Sequence, residues 1–440
     1  MLASGAALSV ERKTAELFGV TSGSSIPFEP RNDEVRRAIV LSGGGARGAY
    51  EAGVLRFVLG ELPRRLGWMP RFDIYSGTSV GAVHACHLAA MSDDPEAGAR
   101  SLVEVWRNMS FSTVYRFGVG DALGFSKTLL GFLTGRAIGV GDDKARLNGL
   151  LDTAPLEHLV VEGIPWERLG QNRRAGHFLA VCVSTTEIAT GRTVTFVDHH
   201  DHTVPTWTND ALHIARPARL APEHALASAA IPFLFPAVRI GETYYCDGSL
   251  RQQTPLAPAL RLGSNRVLVV GLRHGRAPSL DDPLAAERIE RMHSAGFLFG
   301  KVLNALLIDR LEYDLSQMRV MNRVLRAGVE LWGDDYLDRI NVQVKKERGL
   351  GFRIVEDCLI RPSEDIGSIA ARHVERVRSS PGRSWLGSLA FSALTRGSPS
   401  NEADLMSYLL FDGEYAAELI ELGYRDAEAM EADLVRFFSS

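Results

Sequence analysis

The chain has 440 residues, 45% of them hydrophobic and 23% charged, with a formal net charge of −4. That balance is ordinary for a soluble globular protein of two or three domains, and it gives no sign of a nucleic-acid partner. Cys86, Cys182, Cys246 and Cys358 are widely spaced with no CxxC pair, which argues against a disulfide framework or zinc site and for a reducing, cytoplasmic setting.

The start of the chain has no charged run leading into an apolar stretch and small-residue cleavage site, so no secretory signal is expected. No apolar stretch reaches the ~18 residues a spanning helix needs, which predicts a soluble protein whose membrane contact is limited to its surface. Residues 401–440 carry ten Asp/Glu against two Lys/Arg, a bias that reads as a solvated helical face.

Residues 1–35, with Ser-Gly and Pro-rich pieces, read as an extension or loosely packed arm. An apolar strand at Ala38–Leu41 then meets Gly43-Gly44-Gly45-Ala46-Arg47-Gly48 and a helix from Ala49 to about Leu66. A second strand ends at Gly77-Thr78-Ser79-Val80-Gly81, followed by a helix to about Met91. This alternation predicts an α/β fold with a largely parallel sheet. Residues 92–150 read as mostly helical, with turns around Gly118, Gly131 and Gly141. Strands are expected at His177–Ser184, Arg192–Val197, Thr243–Cys246 and Arg266–Leu272. A short helix and a proline-bounded apolar loop should fill Leu226–Val238. From about Leu284 the chain reads as helical to Arg326 and again from about Glu402, interrupted by a strand at Arg353–Arg361. Asn401 is the expected cap of the late helix and Gly423 its stop, after a short linker at 396–400.

Three stretches carry the chemistry. Ser79 sits between two glycines at a strand-to-helix turn, the arrangement that lifts a nucleophilic hydroxyl clear of a sheet edge. The Gly43–Gly48 loop has two readings. As GxGxxG it is a dinucleotide fingerprint, but the acid that would hold a ribose is missing from the end of the next strand, since Asp73 lies near its start. As an oxyanion hole, the amides around Gly43, Gly44 and Gly45 and the helix behind them would stabilise developing negative charge. Arg47 would either brace this loop or attract an anionic substrate. Asp247, at a strand end in Asp-Gly-Ser, is the candidate base for Ser79, made more basic if its site excludes water. Among the histidines, His274 completes a Ser, Asp, His chain order and is the rival base. His84 reads as a packing residue, and His199-His200-Asp201-His202 as a solvated loop in preference to a metal cluster.

Together the glycine-rich loop, the GxSxG elbow and the downstream Asp-Gly resemble the patatin-like phospholipase family. Gly149–Leu156, the Ala227-Ser228-Ala229-Ala230-Ile231-Pro232 run and Ile360-Arg361-Pro362-Ser363 look similar to its bacterial members. The resemblance implies a three-layer α/β/α sandwich and a Ser79–Asp247 dyad without histidine, with the Gly43, Gly44 and Gly45 amides as the oxyanion hole. It also implies cleavage of acyl esters of phospholipids or related lipids through an acyl-serine, with no metal or cofactor. Ser249 departs from the glycine or alanine usual at its position. The expected organisation is an extension at 1–35, a catalytic domain at 36–275 and a mostly helical region at 276–440. Peripheral membrane contact would come from Ile231–Pro236 or from the amphipathic stretch running from Phe297 to Leu307. The rivals are a triad esterase using His274, a nucleotide-binding oxidoreductase and a non-catalytic lipid-binding protein.

Overall fold

The computed structural model describes residues 26–115, 152–275, 311–379 and 406–439, save 31, 33, 205–206, 208–210 and 233. The turns at Gly118, Gly131 and Gly141, the stretch from Phe297 to Leu307, the linker at 396–400 and Asn401 lie outside the described residues. The strands are β1 (Arg37–Leu41), β2 (Ile74–Thr78), β3 (Ala180–Glu187), β4 (Thr193–His199), β5 (His213–Pro217), β6 (Val238–Ile240), β7 (Thr243–Asp247), β8 (Arg266–Val270) and β9 (Glu356–Ile360). They form one sheet in the order β5-β4-β3-β2-β1-β8-β9, with β7 also pairing β3 and β6.

The centre, β3-β2-β1-β8-β9, is parallel throughout. Its strands are apolar runs because both faces are covered. The pleat sends alternate residues to opposite cores. Ile39 and Leu41 of β1 enter one cluster with Leu268 and Val270, while Ala38 and Val40 enter the other with Val267 and Val269. The helices Gly48–Arg56, Val80–Ala90 and Gly413–Ala429 pack the first face, and Leu256–Arg261 with the start of Leu311–Trp332 the second, giving three layers. No helix among the described residues is long and apolar enough to cross a membrane.

The helix predicted from Ala49 changes register on its way to Leu66. Residues Phe57–Glu61 form a π segment before Pro63, which has no N–H to give to Leu59. β4 runs antiparallel to β3 and β7 closes on β3 from the other chain direction, so Asp247 is paired with Thr185. β5 and β6 were not foreseen; they are short, with five and three residues, and lie at the sheet's margin. The helix expected inside Leu226–Val238 lies earlier, at Pro222–Ser228.

Gly423 does not stop the late helix, which runs Gly413–Ala429 from an Asp412 cap that accepts from the Glu414 and Tyr415 amides and is followed by a further helix, Glu431–Ser439. Gly423 serves close packing instead, because a Cβ there would collide with the Tyr50 carbonyl oxygen of the facing helix. Two effects oppose each other in Gly423→Ala. Helix propensity favours alanine by ~1 kcal/mol, whereas forcing an atom into a backbone contact typically costs ~1–3 kcal/mol. Gly423→Ala is therefore expected to destabilise, seen as a lower denaturant midpoint at unchanged slope.

Candidate active site

Ser79 occupies the turn between β2 and the helix Val80–Ala90 with φ 55° and ψ −127°, a left-handed region that side chains rarely enter. The turn can be this tight only because its neighbours lack side chains. A Cβ on Gly77 would strike the Gly81 carbonyl, and one on Gly81 the Leu41 carbonyl. The strain is held from outside: the Ser228 hydroxyl accepts from the Ser79 amide at 2.8 Å and donates to the Ser184 carbonyl at 2.6 Å.

The Ser79 hydroxyl donates to Asp247 Oδ2 at 2.7 Å, across 168 positions of sequence. Asp247 is fixed by its own frame. Its amide bonds the Ala230 carbonyl at 2.8 Å, its carbonyl accepts from Thr186 Oγ1 at 3.0 Å, and Oδ1 accepts from the Ser249 amide at 2.7 Å. Burial pushes the carboxyl from 3.8 up to about 6, against the pull of the Ser249 and Ser79 donors. The run Ala227–Ala230 thus braces both partners, Ser79 through Ser228 and Asp247 through Ala230. Its likeness to bacterial patatins was legible in sequence; this bracing was not.

His274 does not join them. Its Nδ1 lies 3.0 Å from the Pro362 carbonyl, and the carboxylate already holds the hydroxyl directly, so the chain order Ser, Asp, His does not become a triad. His84 is buried and engaged at both nitrogens, with Nδ1 2.8 Å from Glu51 Oε2 and Nε2 accepting from Trp106 Nε1 at 3.0 Å. Since Nε2 accepts, the neutral ring carries its proton on Nδ1 and donates to Glu51. Glu51 also accepts from the Ser42 amide at 2.8 Å, tying this buried chain to the start of the glycine loop. Burial pushes His84 down to about 3 and raises Glu51. His199, His200 and Asp201 gather on an exposed turn with their polar atoms within 4.8 Å, and Thr203 donates to Asp201 through its amide and hydroxyl.

The glycine loop differs from expectation at one residue. The Gly43 amide donates to the Gln253 carbonyl at 2.8 Å, and Gln253 Nε2 returns a bond to the Gly43 carbonyl at 2.8 Å. Gly43 is therefore an anchor, and its N–H is not available to a ligand. Gln253 carried no signal in the sequence. The amides of Gly44, Gly45 and Val80 have no acceptor among the described residues. Gly45, at φ 54°, lies against the Tyr408 carbonyl, leaving no room for a Cβ. Asp73, the one acid near the second strand, accepts from the Arg37 amide at 2.8 Å at the opposite strand end, which leaves a ribose without a partner.

Arg47 braces the loop. It is buried, its Nε donates to Ser407 Oγ at 2.7 Å, and its guanidinium lies 4.1 Å over the Tyr408 ring. The stretch 406–412 is thereby clamped against the glycine loop, and Phe411 continues into the wall of a cavity that opens at Ser79. This cavity holds about 780 Å³ of empty space, counting its open mouth. Val83, Leu102, Val105, Met109, Val160 and Phe411 are among its lining residues, and among the described residues Ser79, His84, His87 and Trp106 are the lining side chains that carry nitrogen or oxygen. Burial pushes His87 down to about 4, so neither imidazole brings charge to the cavity at neutral pH.

The match to a patatin-like phospholipase family model spans residues 39–260, half of the chain, and contains the glycine loop, Ser79 and Asp247. A cUMP-AMP-activated phospholipase of Escherichia coli is 43% identical over 70 residues, which is 16% of this chain and 21% of that protein. The chain thus matches about a fifth of that relative's length. Among solved structures, human GIVD cytosolic phospholipase A2 in complex with methyl gamma-linolenyl fluorophosphonate is similar at 12% identity and a TM-score of 0.39, over 98% of this chain and 62% of that one. VipD from Legionella pneumophila is similar at 12% identity and a TM-score of 0.28, over 91% and 71%. On the strength of this match over half of its length, this chain belongs to the patatin-like phospholipase family.

Proposed function

We propose that the protein is a lipid acyl hydrolase working through a Ser79–Asp247 dyad. The observation that carries this reading is the direct 2.7 Å bond between the serine hydroxyl and a buried carboxylate, placed at the mouth of an apolar cavity. A serine hydroxyl needs a base to become a nucleophile, and burial has moved this carboxyl toward the neutral range in which it can take a proton.

The acyl chain lies in the cavity with its ester carbonyl at Ser79. Ser79 Oγ attacks the carbonyl carbon as its proton passes to Asp247 Oδ2. The amides of Gly44, Gly45 and Val80 donate to the oxyanion, and Gly43 holds their loop through Gln253. Collapse expels the alcohol, which leaves with the proton from Asp247, and an acyl-serine remains. Asp247 then accepts a proton from water attacking the same carbonyl; as the second tetrahedral intermediate collapses, the C–Oγ bond breaks, Ser79 Oγ takes that proton from Asp247 and the free carboxylic acid departs. Phospholipid acyl esters are the substrate class implied by the family, reached at a membrane surface.

A fluorophosphonate is expected to label the intact protein on the peptide containing Ser79, and an acyl-ester lipid panel to release fatty acid. Vesicle binding without labelling or acyl release would establish the non-catalytic lipid-binding protein instead.

A further inference from the structure

The apolar cavity at Ser79 has a direction. Ser79, Val83, His84 and His87 all line it, and their spacing puts them on one face of the helix Val80–Ala90 and the turn that begins it. The helix Pro95–Arg107 runs against this one in the opposite sense: Trp106 Nε1 donates to His84 Nε2 at 3.0 Å, while the earlier residue Ser101 has its Oγ 2.8 Å from Nε2 of the later His87. Leu102 and Trp106 line the cavity from that side, so the space follows the two helices away from the nucleophile.

His87 stands at the far end. Among the described residues it is the last of its helix to line the cavity, and Leu102 is the first of the facing helix. The imidazole is tied across the gap, since Nε2 donates to the Gly98 carbonyl at 3.2 Å and to Ser101 Oγ, which itself donates to that carbonyl at 2.9 Å. Behind the ring, protein fills the space. A Cβ on Gly98 would stand 2.8 Å from the Met91 Cβ, and Asn172 Nδ2 donates to the Ala90 carbonyl at 3.0 Å. Burial keeps the imidazole uncharged at neutral pH, so what it presents to an acyl chain is a steric stop.

We propose that this cavity gauges the length of the acyl chain, that His87 is the specificity-determining residue at which the chain ends, and that the preferred substrates carry medium-length acyl groups. The inference rests on the acyl-hydrolase reading above. From Ser79 to His87 the helix advances about 12 Å, at about 1.5 Å per residue. An extended alkyl chain advances about 1.25 Å per carbon, from bonds of about 1.52 Å, so about eight to ten carbons fit between the ester carbonyl and the imidazole. Each methylene that finds room is worth roughly fourfold in kcat/KM. One that does not must fold back or stay in water, and it gains nothing.

The test measures kcat/KM for p-nitrophenyl esters with acyl chains from about C4 to about C16, each in the same detergent for the full-length protein, His87→Ala, Val83→Phe and Ser79→Ala. The unmodified protein is expected to peak at about C8–C10 and to fall by about tenfold or more at C16. His87→Ala should move the peak up by roughly two to three carbons, the span of the lost ring, and raise the C12-to-C8 ratio about tenfold or more. Val83→Phe, one helical turn from Ser79, should move the peak down to about C4–C6. General loosening of the site would scale all chain lengths alike and leave these ratios unchanged. A peak at C14 or beyond in the unmodified protein, or an unchanged ratio in a folded His87→Ala, overturns the gauge while the hydrolase reading stands. If His87→Ala fails to fold, Val83→Phe decides, and an unshifted peak there overturns the gauge. No cleavage of any ester by the unmodified protein, or equal cleavage by Ser79→Ala, sinks the hydrolase reading itself and this inference with it.

Discussion

Ser79→Ala is expected to lower ester turnover by on the order of 10⁴-fold or more and to abolish fluorophosphonate labelling, with the fold intact. The methyl group leaves the site without a nucleophile, while the amides at Gly44, Gly45 and Val80 remain to polarise a bound ester for slow attack by water. Relaxation of Ser79 also has a readout. Its left-handed backbone is held by Ser228, but the buried Asp247 carboxylate loses its Ser79 donor, so at neutral pH the variant should be less stable to denaturant than the parent by ~1–3 kcal/mol. A variant that still turns over at a rate near that of the parent would remove Ser79 from the mechanism.

Asp247→Asn is expected to reduce kcat by on the order of 10³–10⁴-fold while KM changes little. An asparagine can keep the bond from the Ser249 amide through its oxygen and offer its NH2 to Ser79, so the geometry survives while the proton acceptor is lost. Stability should move the other way. The folded-state pKa is raised, to about 6 from 3.8, so below the unfolded value the group is protonated in both states and costs nothing. As pH rises from there through the folded value the buried carboxylate becomes a penalty, reaching ~3 kcal/mol at most. Asp247→Asn should therefore be more stable than the parent above neutral pH, and this advantage should vanish toward pH ~4. Denaturant midpoints at the two pH values check it. Equal stability at both would mean that the carboxylate is better solvated than its burial implies.

These expectations draw on a site that was partly readable before any coordinates. Ser79 and Asp247 stand in short motifs whose strand-to-turn context is local, and periodicity of apolar residues places the strands that carry them. Ser228, Ala230 and Gln253 could not be assigned this way. Their work is done by one hydroxyl, one side-chain amide and backbone groups meeting partners 149, 17 and 210 positions away, and such contacts leave no periodic trace. Gly43 shows the limit in another form: its motif announced free amides, but whether a given N–H points at a ligand or at a neighbouring carbonyl is decided by tertiary contact. Gly423 was misread for a related reason. Glycine marks a helix end when its left-handed conformation is wanted and close helix packing when its missing side chain is, and the sequence is the same in both cases. The marginal strands β5 and β6 escaped notice because, at five and three residues, they are too short for a period-two pattern to stand out.

The bond from Arg47 to Ser407 spans 360 positions. During synthesis at ~5–20 residues per second, the nucleophile and its glycine loop leave the ribosome roughly 20–70 s before their clamp. Through that interval the nascent chain has Ser79 but neither the support behind Gly45 nor the Phe411 wall. Folding of the clamp thus waits until the chain has been made through Phe411, and a chain cut short before Ser407 lacks it.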